Sequence, residues 1–294
     1  MKFLNKLACA AAVAMTFTGA ASAAQVLTDW RFNPNGGGFA AAQNIEEYLD
    51  VNGQSFIQLS PTGERSFNFV EHAVFNIVQA DSNGQLFPLN YTGGNISALF
   101  EGFGEGTRGT GTTAGSFAFT GGSIRIFQNP TNGQYGSAAG IYGANLGKEI
   151  ATFEVMAGGG GDVDASGSPI ANGQVSVFAR ADAGDLDPGY FFRGDGSDLS
   201  MESILSFAFT NANPTTAAGL TPNLVSEVAC QYAGFTGAGC NGTAYANAPG
   251  QYFFISNNGQ FKLAAEVPEP GSLALFGIAM LGAGVVSRKR AKKA

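Results

Sequence analysis

Histidine and tryptophan are almost absent from this chain of 294 residues, and their scarcity argues against several kinds of active site. His72 is the only histidine, so a zinc centre with several nitrogen ligands or a Ser-His-Asp triad is hard to assemble. Trp30 is the only tryptophan, which leaves few aromatic platforms for sugar cleavage. No Gly-x-Ser-x-Gly elbow occurs. The sequence therefore predicts a protein that is not an enzyme. The alternative is a secreted enzyme, such as a glycan-active hydrolase, with no recognisable motif.

Other candidate motifs do not change this prediction. Residues 104–109 match the dinucleotide pattern in letters, but no helix follows them, so we predict a mobile loop there. Acidic pairs such as Glu46 with Glu47 have no spacing that marks a glycosidase. His72 lies in an apolar run and is predicted to be a structural residue at a strand edge.

Charge is scarce as well, and it is unevenly distributed. Asp, Glu, Lys and Arg make up 13% of the chain, whose net charge is −7. Seven of the 15 basic residues but only one of the 22 acidic residues lie outside residues 24–266, so that region is about 13 charges negative. An acidic surface does not attract nucleic acid or anionic lipid. We therefore expect cations or neutral glycans as ligands, and no nucleic acid.

Cysteine occurs three times, and only Cys230 and Cys240 lie beyond the N-terminal segment. An even number of cysteines in an oxidising compartment indicates a disulfide, and these two residues allow one pairing. A metal site would require further ligands. We therefore predict a disulfide that closes a loop rich in Gly, Ala and Thr.

One polar cluster consists of five aspartates interrupted by glycines. Its members are Asp182, Asp185, Asp187, Asp195 and Asp198. Carboxylate oxygens suit Ca²⁺, but the spacing does not match an EF-hand. Aspartate also favours turns that hold no ligand. We predict ordinary turns and no required cofactor, with calcium binding as the alternative.

Glycine and phenylalanine are abundant, with 43 Gly and 25 Phe in the chain. This mixture favours short strands joined by tight turns, because glycine weakens helices. Apolar residues alternate at Phe67–Phe69, Phe117–Phe119 and Val175–Val177, as in half-buried strands. We predict an all-β domain over residues 24–266, folded as a β-sandwich of the jelly-roll type. A β-helix is the alternative, disfavoured because no repeat of about 20–50 residues occurs.

Local signals add detail to this fold. Asn257-Asn258-Gly259 lies between the apolar runs Tyr252–Ile255 and Phe261–Leu263 and predicts a β-hairpin. Short helices are predicted only at Ala40–Leu49 and Asp198–Leu205.

The first 23 residues have the three parts of a secretory signal peptide. Lys2 and Lys6 precede an apolar stretch of export length, and the small residues Ala21 and Ala23 lie where signal peptidase reads the chain. We expect cleavage after Ala23.

Residues 267–294 contain three ordered elements. A Pro-Glu-Pro segment interrupts regular structure. Residues 271–287 are uncharged and apolar, and they predict a single transmembrane helix of about 25 Å. Residues 288–293 form a basic tail, which is expected to stay on the cytoplasmic side. The marker residues of these elements are Pro268, Glu269, Pro270, Arg288, Lys289 and Arg290.

This order of elements resembles the PEP-CTERM sorting signal of Gram-negative bacteria. The resemblance implies cleavage near Pro268 to Pro270 by an exosortase, a membrane transpeptidase-like enzyme, after a transient stay in the inner membrane. Proteins with this tail are typical of organisms that make exopolysaccharide and grow as biofilms or flocs. The resemblance therefore implies a final place at the cell surface or in the extracellular matrix.

Short stretches of the central region are also similar to flocculation-associated PEP-CTERM proteins. These stretches are Ile96–Gly104, Ser116–Phe119, Ile150–Phe153, Gly189–Phe192 and Asp198–Ser200. The similarity implies a non-enzymatic surface protein that helps cells to hold together through exopolysaccharide.

Overall fold

The computed structural model describes residues 24–81, 87–88, 95–129, 135–170 and 172–266. Most regular structure in these residues is β-strand. The strands are β1 Ala24–Val26, β2 Trp30–Phe32, β3 Gln43–Glu46, β4 Tyr48–Pro61, β5 Ser66–Ala80, β6 Phe87–Pro88, β7 Ile96–Thr107, β8 Gly115–Gln128, β9 Lys148–Val155, β10 Gly158–Val163, β11 Gly173–Ala181, β12 Phe191–Phe192, β13 Ile204–Thr215 and β14 Tyr252–Glu266. Residues Val26–Ala265 form one compact unit.

Eight strand positions close into an antiparallel barrel. The order around the barrel is β4, β5, β7, β8, β9 with β10, β11, β13 and β14, and β14 pairs with β4 again. β9 and β10 share one position, because both run antiparallel to β8 on one side and to β11 on the other. The predicted jelly-roll sandwich is therefore wrong. The strands do alternate as expected, but the long pairing of Tyr252–Lys262 with Tyr48–Gln58 closes a single sheet on itself.

Phenylalanine rings fill the barrel interior where β7 supplies glycines. The rings of Phe69 and Phe119 meet edge to face, with centroids 5.4 Å apart. A Cβ at Gly104 would lie 2.8 Å from the Phe69 ring, and one at Gly106 would lie 2.4 Å from the Phe67 ring. We predicted a mobile loop at residues 104–109, and this prediction is wrong for residues 104–107, which belong to β7. Their glycines are strand residues that make room for the rings.

β14 runs unbroken through the segment predicted to be a hairpin turn. Asn257 points into the barrel, where its Nδ2 donates to Ser55 Oγ at 2.6 Å. Gly259 lies against the carbonyl oxygen of Phe209 on β13. Because β13 and β4 pair with β14 on both sides, the backbone is held extended, and the Asn-Gly turn preference is overridden.

The two helix predictions are each correct for no more than a single 3₁₀ turn. At the first segment a single 3₁₀ turn, Phe39–Ala41, is followed by β3 and the start of β4. At the second, a 3₁₀ turn, Leu199–Met201, leads into β13, and the Asp198 side chain caps it by accepting from the N–H of Ser200 at 2.9 Å.

The main helix instead lies between β13 and β14. A 3₁₀ turn Ala217–Gly219 and a short α-helix Pro222–Leu224 lead into a π-helix, Val225–Tyr232. Its buried residues, including Val228 and Ala229, pack on the outside of the barrel against outward-facing side chains such as Phe56 and Val74. A second hydrophobic cluster therefore lies outside the barrel wall.

A small sheet of β12, β2 and β3 completes the main core. The Phe191 ring packs against Phe32 at 5.0 Å and stacks with Trp30 at 6.5 Å, centroid to centroid. All three side chains are buried. The only tryptophan of the chain is therefore a core residue.

Among the described residues, we find no helix with the length and apolar character needed to span a bilayer. The predicted signal peptide (1–23), transmembrane helix (271–287) and basic tail (288–293) all lie outside the described residues.

Candidate functional site

His72 lies in the middle of β5 on the outer face of the barrel. Its ring meets that of Tyr232 in the π-helix edge to face, with centroids 4.8 Å apart, and its Nε2 lies 3.9 Å from Glu101 Oε1 on β7. Burial lowers the pKa of His72, and the Glu101 carboxylate opposes this shift. These are packing contacts, in line with the predicted structural role. The predicted edge position is wrong, because β5 pairs with β4 and β7 on either side.

Each of the five aspartates singled out in the sequence has a hydrogen-bond or ion-pair partner. The pairs are Asp182 with Arg180 Nε at 2.9 Å, Asp185 with the N–H of Asp182 at 2.8 Å, Asp187 with Lys148 Nζ at 2.7 Å, Asp195 with the N–H of Ser197 at 2.9 Å and Asp198 with the N–H of Gly189 at 2.8 Å. No group of three His, Cys, Asp or Glu side chains in the described part of the chain is placed to hold a metal ion. The backbone contacts of Asp185, Asp195 and Asp198 are those of turns, whereas Asp182 and Asp187 form ion pairs. Calcium binding remains the alternative to ordinary turns.

Cys230 and Cys240 are joined by a disulfide, with their Cα atoms 5.5 Å apart. The bond ties the π-helix to the loop that follows it. In that loop the Phe235 ring packs on Phe56 at 5.0 Å and on Tyr252 at 4.6 Å. The disulfide therefore closes the loop that carries Phe235 within this outer cluster.

Glu71 is a buried carboxyl group inside the barrel that our sequence reasoning missed. Burial raises the pKa of Glu71 to about 7, although a hydrogen bond with Ser55 acts in the opposite direction. The alternation Phe67, Phe69, Glu71, Ala73 would have placed it on the inward face. The adjoining cavity is lined mainly by apolar side chains and measures about 80 Å³, which is room for a few water molecules only.

Amide side chains line up on the outside of the barrel across five neighbouring strands. In the strand register, each of these residues is paired with the next one around the barrel. Their order is Asn76, Asn52, Asn258, Asn211 and Gln174. Asn258 Nδ2 donates to Asn52 Oδ1. We call these five residues the amide row. It runs over β5, β4, β14, β13 and β11.

A polar cleft of about 370 Å³ opens at the amide row. It is lined by Asn52, Gln54, Asn213, Ser256 and Asn258 and by two tyrosines, Tyr135 and Tyr142, and none of its described lining residues is charged. We call it the amide cleft. The two tyrosine rings meet edge to face at 5.3 Å, and the Tyr135 hydroxyl donates to the carbonyl oxygen of Val74 at 3.2 Å. Burial raises the pKa of Tyr135, so its hydroxyl remains a donor.

Over the described ranges, the side-chain oxygen of Gln54, a residue of this cleft, lacks the hydrogen bond that a buried acceptor usually has. This atom, Oε1, is buried and has no hydrogen-bond partner among the described residues. Buried polar atoms in native proteins are nearly always paired. This oxygen is covered in the empty protein, but Gln54 itself lines the cleft, so a turn of its side chain would let a ligand's donor pair with the oxygen.

The described residues thus form a closed eight-strand barrel that presents an uncharged, amide-lined cleft. Residues 266–290, at the end of the same chain, match the family model of the PEP-CTERM protein-sorting motif. The match confirms the predicted resemblance to the PEP-CTERM sorting signal. The chain therefore carries a PEP-CTERM motif and is an exported protein that an exosortase sorts to the cell surface. No curated protein and no solved structure matches the chain.

Proposed function

We propose that the barrel acts at the cell surface as a non-enzymatic adhesive protein, which contributes to exopolysaccharide-linked aggregation such as flocculation or biofilm growth. The observation that carries this proposal is the amide cleft. Amides and phenols donate and accept hydrogen bonds without gaining or losing protons near neutral pH. Such a lining favours binding over turnover.

The positions of the titratable groups support the same proposal. Glu71 faces a small apolar cavity inside the barrel, and His72 lies under the ring of Tyr232. Neither lines the amide cleft. Adhesion through neutral hydrogen bonds of about 0.5–1.5 kcal/mol each is weak per site. Many copies at one surface would raise the total affinity.

Deleting the gene is expected to reduce cell aggregation, and expression of the wild-type protein is expected to restore it. The His72→Ala variant should restore aggregation equally well, because His72 contacts Tyr232 and Glu101 and does not line the amide cleft. Sedimentation of cell suspensions measures the effect, and fractionation verifies export. A folded, normally exported His72→Ala protein that fails to restore aggregation would contradict the adhesive function and favour a catalytic site.

We further propose that the exosortase cuts near Pro268 to Pro270 at the inner membrane of a Gram-negative cell. Mass spectrometry of the mature surface protein should then detect an N-terminus at Ala24 and no peptide beyond about Pro270. Pro268→Ala with Pro270→Ala is the matched variant, in which the uncut chain should accumulate. Recovery of the Arg288–Lys293 segment from the extracellular fraction would rule out this cleavage.

A further inference from the structure

We infer that the amide cleft is a binding site for a neutral polysaccharide, and that Gln54 anchors the chain of sugars there. This inference rests on the proposed function and names the ligand class for its site. A polymer whose hydroxyl groups are numerous and uncharged matches the cleft in its hydrogen bonds, its shape and its charge.

Hydrogen-bonding capacity is the first match. A side-chain amide offers two N–H donors and one carbonyl acceptor, and a sugar hydroxyl is itself a donor and an acceptor. Within the amide row, the bond from Asn258 Nδ2 to Asn52 Oδ1 uses one donor and one acceptor site. Among the described residues, the second N–H of Asn258 and the NH₂ group of Asn52 have no further hydrogen-bond partner and are left for a ligand. Both side chains are exposed.

The repeat of the row favours a polymer over a small molecule. Neighbouring strands lie about 4.8 Å apart, so the amides recur at that interval around the barrel. The row extends from the cleft past Asn211 to Gln174, and both side chains are exposed. A polysaccharide held in the cleft would find equivalent partners along this path.

Gln54 gives the cleft its strongest preference. Its Oε1 is buried without a donor among the described residues, which destabilises the empty protein. The oxygen is covered in the empty protein, so the Gln54 side chain would first turn toward the cleft, and a sugar hydroxyl would then replace an unpaired acceptor with a hydrogen bond. A ligand without donors would gain nothing there.

The tyrosines supply the apolar wall that sugar rings require. Tyr135 is fixed by its hydroxyl bond to Val74, and the backbone N–H of Tyr142 donates to Glu227 Oε2 at 2.8 Å. A wall held in this way is preorganised, so less freedom is lost on binding. Pockets with an apolar wall and a few polar groups, in the range of about 300–1,000 Å³, are typical ligand sites.

Charge decides between neutral and anionic polysaccharides. Within the described part of the chain, no charged side chain lines the cleft, so these residues offer an acidic sugar no cation. Residues 24–266 are strongly acidic overall and would repel a polyanion. A neutral polysaccharide needs no cation in the cleft and is not repelled by the acidic surface.

Affinity electrophoresis of the exported protein in gels that contain dextran, galactomannan or alginate tests this assignment. We expect the wild type to be retarded by at least one neutral polysaccharide and not by alginate. Gln54→Leu and Asn52→Ala should each weaken the retardation constant about fivefold, the effect of losing one neutral hydrogen bond. The matched control is Asn68→Ala, which removes an exposed amide from the outer face of β5, away from the cleft.

Thermal unfolding separates binding from folding. Gln54→Leu removes an unpaired buried oxygen, so its melting temperature should equal or exceed that of the wild type while its binding is weaker. A purely structural role for Gln54 predicts a lower melting temperature instead. The assignment is overturned if neither neutral polysaccharide retards the wild type, if only alginate does, or if both cleft variants bind as the control does. If the protein binds a neutral polysaccharide in the gel but deletion of the gene leaves aggregation unchanged, the adhesive function is refuted and the binding site is not.

Discussion

Glu71→Gln is expected to remove most of the loss of stability that the wild type shows as the pH rises from about 4.5 to about 7. The carboxyl pKa is 4.5 in the unfolded reference and is raised to about 7 by burial in the barrel. Below this window both states carry the proton. Within it the unfolded chain releases the proton first, so the folded state loses stability as the pH rises. Above it the full cost remains, about 3 kcal/mol from a shift of about 2.5 units.

The glutamine variant carries no ionisable group at this position, so it should be more stable than the wild type at about pH 8 and similar to it at about pH 4. Urea unfolding across this range measures the difference. Glu64→Gln, an exposed substitution of the same kind, is the control and should follow the wild type. Parallel curves for Glu71→Gln and the wild type would show that Glu71 is not held protonated in the folded barrel.

Replacing Cys230 and Cys240 by alanine is expected to lower the free energy of unfolding by about 3 kcal/mol. The bond closes a loop between residues 10 apart in sequence, and chain-entropy arguments assign about this much to a loop of that size. Without it, the Phe235 loop is no longer fastened over Phe56 and Tyr252. The barrel itself should survive, since no strand contains either cysteine.

Urea unfolding of the double variant provides the measurement. Reductant added to the wild type should reproduce the loss and leave the double variant unchanged. Non-reducing peptide mapping should find the two cysteines linked in the exported protein. Reaction of both thiols with an alkylating reagent in the folded protein would contradict the bond.

Local periodicity predicted the strands well, because the inward-facing residues of the strands are mostly apolar and recur with the simple period of two. Phe67 and Phe69, Phe117 and Phe119, and Val175 and Val177 all lie on predicted strands. The arrangement of these strands as a barrel could not be predicted from the periodicity. A sandwich and a closed barrel share that alternation, and they differ in whether β14 pairs with β4.

The amide cleft was equally out of reach from sequence. Asn52 and Gln54 belong to β4, whereas Ser256 and Asn258 belong to β14, and only the register brings them together. The Asn-Asn-Gly signal even pointed the other way, since it predicted a turn where the strand continues. By contrast, the sorting motif was predictable, because its three elements follow one another directly in the chain.

Closure of the barrel determines when folding can finish. Asn257 and Ser55, which meet at the seam between β14 and β4, are 202 residues apart in sequence. Contacts of such long range are slow to form. Since β14 is the last strand of the domain to be synthesised, β4 lacks its partner until nearly the whole chain exists. A chain truncated before Tyr252 would keep two open strand edges, which are sites of intermolecular pairing. The last strand therefore protects the exported chain from self-association.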